Sequence, residues 1–205
     1  MAPKIVDKEK RKKEIVLATL EVFSEKGYEA TSMSQIAKLA GIGKGTIYEY
    51  FESKEELILN AVKAWTEGVE AEVGKQIEGI DDPVKRLRKY AHSSMAAFVS
   101  DKRIMRLFIA MLETVLKNEK AYPQLIRETM QSVCEAIADT LVDGASRGTF
   151  RPDVSANAEK IAVNLMAYLD GIGMYYHVLG DYINLKEQIE LYLDDLLEGL
   201  RTEDN

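Results

Sequence analysis

Apolar residues recur every three to four positions along nearly the whole chain, and no segment sustains a two-residue alternation. The pattern predicts an all-α protein of about nine helices. The first should run from about Asp7 to Lys26, with Ile15, Ala18 and Val22 on one face and Gly27 as a left-handed stop. Ser32 and Gln35 have capping-box spacing, so a short second helix starts near Met33. Ile36, Ala37 and Ala40 form its inner face, Gly41 ends it, and Ile42 tucks inward. A third short helix begins near Lys44 and carries Ile47 and Phe51 inward. Ser53 and Glu56 make a second capping box, opening a longer helix with Leu57, Ala61, Ala64 and Trp65.

Farther along, Asp82-Pro83 reads as an N-cap followed by proline at the first helical position. Leu87, Tyr90, Ala91, Ser94 and Phe98 then share a face. Asp101 is placed to cap a helix with Met105, Phe108, Met111, Leu112 and Val115. Pro123 opens another, with Ile126, Met130, Val133, Ile137 and Leu141, ending at Gly148. "TFRPDVS" reads as a loop, followed by a long helix to about Leu179. Asn184 and Glu187 cap the last helix, which carries Ile189, Leu193, Leu196, Leu197 and Leu200. The expected division is a small N-terminal domain, 1–56, and a larger domain, 57–205, joined by the fourth helix.

Composition narrows the classes of function. The chain of 205 residues is 46% apolar and 30% charged, as soluble globular proteins are. No apolar run approaches the roughly 20 residues that span a bilayer. The N-terminus is basic and lacks an apolar h-region, so no signal peptide, no membrane partner and a cytoplasmic location are expected. Cys134 is the single cysteine, which excludes an intramolecular disulfide and a cysteine-built zinc site. His92 and His177 are isolated and no nucleophile–base pair is visible, so no metal, cofactor or catalytic residue is expected. The net charge of −7 is uneven: residues 1–56 hold 10 basic and 10 acidic side chains, and six of those basic residues lie between Lys4 and Lys13. A basic tip on an acidic body fits nucleic acid at one end, although a basic run alone also reads as a solvated helix start.

The chemistry concentrates in "AGIGKGTIYEYF", Ala40 to Phe51. A phosphate-cradling loop needs a buried strand before it, and its lysine follows the last glycine. Here Lys44 precedes Gly45, and "SQIAKLA" before it is a capped amphipathic helix. Two short helices joined by a glycine-containing turn instead match a helix-turn-helix, whose second helix enters the major groove by its N-terminal residues. The bland alternative is a helical hairpin whose glycines only allow tight packing. With Ile47 and Phe51 inward, Lys44, Thr46, Tyr48 and Tyr50 must project outward. A tyrosine hydroxyl can bond a phosphate while its ring packs on sugar or a thymine methyl.

At these residues the chain resembles a known family. "FSEKGYEATSMSQIAKLAGIGKGTIYEYFESKEEL", Phe23 to Leu57, is closely similar to the N-terminal domain of TetR-family bacterial transcriptional regulators. The likeness lies in "GYEAT", "IAKLAG", "GKGTIYEYF" and "SKEEL", covers about residues 11–71, and places the motif at about 34–53. It implies backbone contacts from Thr31, Ser32 and Ser34, base reading by Gly43, Lys44, Gly45 and Thr46, and phosphate or groove contacts from Tyr48, Tyr50 and Lys54. Gly43 offers no side chain, which leaves direct base reading mainly to Lys44, Thr46 and Tyr48.

The resemblance further implies a homodimer through the last two helices, a palindromic double-stranded DNA operator, and a small-molecule inducer held in the body. Met95, Phe98, Met105, Phe108, Met111, Met130, Cys134, Met166, Tyr168 and Met174 are pocket candidates by type, favouring an apolar or aromatic ligand. The same residues at helical spacing also read as plain core. The functional expectation is a ligand-released repressor. The rivals are an activator, a helical sensor acting through protein contacts, and a nucleotide-binding enzyme.

Overall fold

A computed structural model describes residues 7–100, 102–117 and 123–202. Among them the all-α expectation holds, with nine α-helices. These are α1 (Lys8–Lys26), α2 (Met33–Leu39), α3 (Lys44–Ile47), α4 (Lys54–Ile77), α5 (Pro83–Val99), α6 (Lys102–Lys117), α7 (Pro123–Ser146), α8 (Asp153–Leu179) and α9 (Leu185–Leu200). The chain forms two compact units, one of residues 1–65 and 103–126, the other of 66–102 and 127–205.

Helix boundaries follow local chemistry. Asp7 caps α1 by accepting the N–H groups of Glu9 and Lys10. Ser32 and Gln35 form the complete reciprocal capping box of α2. Asp82 accepts from Val84 and Lys85, with Pro83 in the first turn of α5, where its missing N–H costs nothing. The Asn184 side chain accepts the N–H of Glu187 at the start of α9. Three details differ from the sequence reading. The Glu56 carboxylate accepts the N–H of Glu52 at 2.7 Å, one residue before the expected partner, while Ser53 Oγ accepts from Glu56. Asp153 already belongs to α8, so the loop is shorter than "TFRPDVS". The third helix stops at Ile47, and residues 48–50 close as a tight turn. Asp101 and the Ile126 side chain lie outside the described residues.

In the first unit one apolar cluster joins α1, α2, α3, the start of α4 and α6. Ile15, Phe23, Ile36, Ile47, Phe51, Leu57 and Ile58 are at most 1% exposed, and Leu107, Ala110 and Met111 pack with them. Each fully buried Ile, Leu or Phe contributes about 1.5–3 kcal/mol. That burial is what lets α3, too short to persist alone, keep a fixed position.

In the second unit α5 packs on α8 and α9, which also pack on each other. Leu87, Tyr90, Ala91, Met95 and Phe98 of α5 are buried. So are Ala158, Ala162, Leu165, Leu169 and Gly173 of α8, and Ile189, Leu193, Leu197 and Leu200 of α9. Phe150, fully buried, seats its ring against Gly144: a Cβ there would lie 2.3 Å from the ring. The same segment pairs with the end of α9, Arg151 donating its N–H to Leu200 O at 2.9 Å. Arg88 bridges Glu190 and Asp194, and His92 meets Glu190, tying α5 to α9 by charge.

Candidate nucleic-acid interface

The turn between α2 and α3 is built by a Schellman motif. Gly41 sits at φ +67, Ile42 N–H reaches Ala37 O at 2.9 Å, and Gly41 N–H reaches Lys38 O at 3.2 Å. A β-carbon in that left-handed conformation costs about 1–2 kcal/mol, so Gly41 is required by the backbone. Ile42 follows half-buried against the core and sets the angle between the helices.

Gly43 and Gly45 are different. Gly43 is an N-cap in extended backbone, where an added Cβ would meet only Thr46 Oγ1 at an ordinary 3.6 Å. Gly45 lies inside α3, exposed, with nothing within 4 Å of an added Cβ. Neither the conformation nor the packing of this unit calls for glycine at either place. Lys44 and Ser34 are exposed, Thr46 is half-buried, and Tyr48 is 49% exposed. Below them Ile47 is fully buried, so α3 is anchored by one side and presents the other. After it, Tyr48, Glu49 and Tyr50 donate their N–H groups to Gly45, Thr46 and Ile47. This tight turn leaves Tyr50 partly packed on the core.

The remaining candidates divide by what the fold asks of them. Thr31 is 4% exposed and its hydroxyl donates to Gly27 O at 2.8 Å. Lys54 donates from Nζ to Tyr28 O at 2.9 Å and Thr31 O at 3.2 Å, and lies 3.9 Å from the Tyr28 ring centroid. Tyr28 in turn donates to Glu55 Oε1 at 2.9 Å. Burial raises the Glu55 carboxyl, but hydrogen bonds from its own backbone, Tyr28 and Ser53, with the Lys54 charge, outweigh it and hold the group below its usual range. Tyr28 and Glu55 had no role in the sequence reading. The signal available was Tyr28's place in the quoted motif, in the segment that leads from α1 into α2. Ser32 is exposed, but its hydroxyl is engaged with Gln35.

The pocket candidates do not gather in one unit. Met105, Phe108 and Met111 belong to the first, where Phe108 and Met111 join the apolar cluster. The other candidates belong to the second. There Met95 and Phe98 are buried against Gly173, Cys134 and Met166 are half-buried, and Met130 and Met174 are exposed. Tyr168 stacks on Tyr192 with centroids 3.7 Å apart and donates to Gln188 O at 2.7 Å. The sequence reading passed over two acids inside this unit, Glu70 and Asp170. Tyr90 donates to Glu70 Oε1 at 2.9 Å, with Val133 O at 3.0 Å, and burial followed by the Glu70 charge pushes its phenol up. Burial raises the Asp170 carboxyl to about 6. Their signal was a charge interrupting an apolar helix face, as in "LMAYLDGIGMYY".

Among the described residues, no helix is long and apolar enough to cross a membrane, and no group of His, Cys, Asp and Glu could hold a metal ion. The family model for bacterial regulatory proteins of the tetR family matches residues 15–61. The regulator HbdR of Aromatoleum sp. (strain CIB) is 40% identical over 85 residues, 42% of this chain and 36% of its own length. TtgR of Pseudomonas putida, also an HTH-type transcriptional regulator, is 26% identical over 197 residues, 92% of this chain and 90% of that one. The fold matches FadR of Bacillus subtilis in complex with stearoyl-CoA at a TM-score of 0.71 and 20% identity, covering 92% of this chain and 99% of that one.

Proposed function

We propose, since the chain belongs to the TetR family of bacterial regulatory proteins, that it is a homodimeric repressor which leaves its operator when a small ligand binds. The observation that carries the reading is the outer face of α2 and α3. Ser34 on α2 and Lys44, Thr46 and Tyr48 on and just after α3 go with two glycines, Gly43 and Gly45, that the fold does not need. Absent side chains are useful where another backbone must come close, and phosphates and base edges are such neighbours. In this reading 1–56 holds the DNA and 57–205 holds the ligand and the dimer contact. Lys44, Thr46 and Tyr48 read bases; Ser32, Ser34 and Tyr50 hold the backbone; Thr31 and Lys54 position the reading helix.

A dimer through α8 and α9 is supported by the apolar residues those helices leave in solvent. Val163, Met174, Tyr175 and Val178 of α8 are 54%, 36%, 63% and 80% exposed, and Tyr182, in the short turn after α8, is 88% exposed. Leu191 of α9 adds to them at 60%. A two-fold dimer presents two reading helices to a palindromic site. A ligand shifts such a dimer off DNA only by binding the DNA-incompetent state more tightly. The protein acts by binding rather than catalysis, in the cytoplasm where its DNA lies.

A gel-shift with the gene's own upstream region tests the reading. Binding that weakens with salt and is lost in Lys44→Ala/Tyr48→Phe is the expected result. Salt-insensitive binding, or unchanged affinity in that double variant, overturns it.

A further inference from the structure

We propose that Tyr28 and Glu55 are positioning residues for operator recognition: with Lys54 they clamp the start of α4 to the loop before α2, and so set the pose of the reading helix without touching DNA. This rests on the reading of the chain as a DNA-binding regulator and adds to it two residues that the motif alone gives no role.

The loop between α1 and α2 has little apolar surface of its own, for Glu29, Ala30 and Ser32 are exposed. Thr31 organises it from within. Its hydroxyl donates to Gly27 O at 2.8 Å and its N–H to Tyr28 O at 3.2 Å. Tyr28 ties it to the rest of the unit. The ring packs on buried Phe23 of α1, with centroids 5.6 Å apart. Three further contacts go to the first two residues of α4. The Tyr28 carbonyl accepts from Lys54 Nζ at 2.9 Å, the same ammonium lies 3.9 Å from the ring centroid, and the hydroxyl donates to Glu55 Oε1 at 2.9 Å.

Lys54 Nζ also reaches Thr31 O at 3.2 Å, one residue before the Ser32 cap. The start of α4 therefore fixes where α2 begins. From there α2 carries Ser34, and the Gly41 turn with Ile42 sets the angle at which α3 is presented. Binding groups must be held within about 0.5 Å of their productive geometry by side chains that are themselves locked. The clamp supplies that lock at the entry to the motif.

The chemistry of this corner favours support over contact with DNA. Glu55 puts a carboxylate in a domain that meets a polyanion, where it repels phosphate. Its oxygen is engaged by the Tyr28 hydroxyl, and a hydrogen bond to a carboxylate is about twice as strong as a neutral one. Lys54 is engaged by two carbonyls and a ring, and Tyr28, Lys54 and Glu55 are all half-buried. Two opposite charges at adjacent positions are thus both turned onto one loop.

The test is fluorescence anisotropy of the full chain with a fragment of the gene's own upstream region, and with a scrambled fragment of equal length, over a range of salt. Thermal unfolding by circular dichroism runs beside it. Tyr28→Phe keeps the ring and removes only the hydroxyl. Glu55→Ala removes the acceptor with its charge, whereas Glu55→Gln removes the charge and keeps an acceptor. At a temperature where every variant is folded, Tyr28→Phe and Glu55→Ala should each bind the upstream fragment at least about fivefold more weakly. The scrambled fragment should bind as before, and Tyr28→Phe should keep the wild-type salt slope, because no phosphate contact is lost. The double variant should be no weaker than either single one, since both remove the same contact. Glu55→Gln should bind as tightly as the wild type or more so. If Glu55 acted by charge alone, Glu55→Ala would also bind more tightly, and that result overturns the proposal. So does upstream binding within about twofold of wild type in Tyr28→Phe, even if its Tm falls, because the hydroxyl would then be structural only. A lower salt slope in Tyr28→Phe, or equal losses on both fragments, overturns it as well. Wild-type binding with unaffected variants removes only the clamp, whereas a wild type that does not bind the upstream fragment removes the parent reading and the clamp with it.

Discussion

Replacing Gly45 with alanine adds one methyl group and should move folding and DNA binding in opposite directions. Gly45 lies in helical backbone and nothing stands within 4 Å of the added carbon, so the methyl creates no clash inside the protein. The substitution also narrows the conformations of the unfolded chain. Gly→Ala at such a position stabilises by about 0.4–1 kcal/mol. For a chain of this length each kcal/mol raises Tm by about 2–4 °C, so a rise of about 1–4 °C is expected. On DNA the same methyl stands where a phosphate or base edge must come close. An overpacked contact costs about 1–3 kcal/mol, and a dimer meets it twice. A combined loss of about 2–6 kcal/mol is at least about 30-fold in affinity.

Thermal unfolding by circular dichroism without DNA measures the first effect. Fluorescence anisotropy with the operator fragment, at one fixed salt concentration, measures the second. Gly74→Ala is the control: it too has open space around the added carbon, on α4 beyond the motif, and should stabilise without touching DNA affinity. A Gly45→Ala protein that is more stable and binds DNA within about twofold of wild type refutes the close approach. One that is less stable refutes the claim that the fold leaves this position empty.

Gly144→Ala should destabilise the second unit by at least about 1–3 kcal/mol in a denaturant titration, because the new carbon would sit 2.3 Å from the Phe150 ring. Asp170→Asn should alter the pH dependence of stability. Its folded carboxyl titrates at about 6 against an ordinary value of 3.8, so the folded state holds a proton that the unfolded state releases between those values. The wild type loses up to about 3 kcal/mol as pH rises through that window, and the variant should not; parallel stability–pH curves would refute this. Val178→Glu, at a residue 80% exposed in the stripe on α8, should give a folded monomer by sedimentation with much weaker DNA binding. Lys54→Met should cost about 1.5–3 kcal/mol by leaving two carbonyls without their charged donor, while the salt dependence of DNA binding stays at its wild-type slope. A slope lower by about one would show that Lys54 holds a phosphate instead.

The elements were legible because their signals are local. Capping pairs, the Asp-Pro start of α5 and the apolar stripes act within a turn or two, so residue spacing displays them. Gly41 was legible for the same reason, since a glycine after an amphipathic helix announces a left-handed stop. The roles of Lys54 and Thr31 were not. Lys54 reaches carbonyls 26 and 23 residues earlier in the chain. Nothing in "SKEEL" says that its lysine folds back to support the segment before α2. The polar interior of the second unit escaped for a related reason. Glu70, Tyr90 and Asp170 lie on three helices far apart in sequence, and each alone reads as a surface residue or a tolerated core residue.

The electrostatics of the first unit sharpen which cations can serve DNA. Of the basic residues at the start of α1, Arg11 pairs with Glu14 at 2.7 Å and Lys12 lies 5.2 Å from the Phe51 ring centroid. Lys8, Lys10 and Lys13 are exposed, as is Lys44 on α3. The whole chain carries −7, so its average field repels a polyanion. Binding must therefore come from a few local cations close enough to escape screening by the rest. Each phosphate so neutralised contributes about 0.9 to the salt slope. If Lys44 reads a base edge, its loss should relax sequence preference more than it lowers that slope, whereas loss of Lys8, Lys10 or Lys13 should lower the slope without changing which sequence is chosen. The two classes of lysine thus separate in one pair of measurements, although both bear the same charge and lie in the same unit.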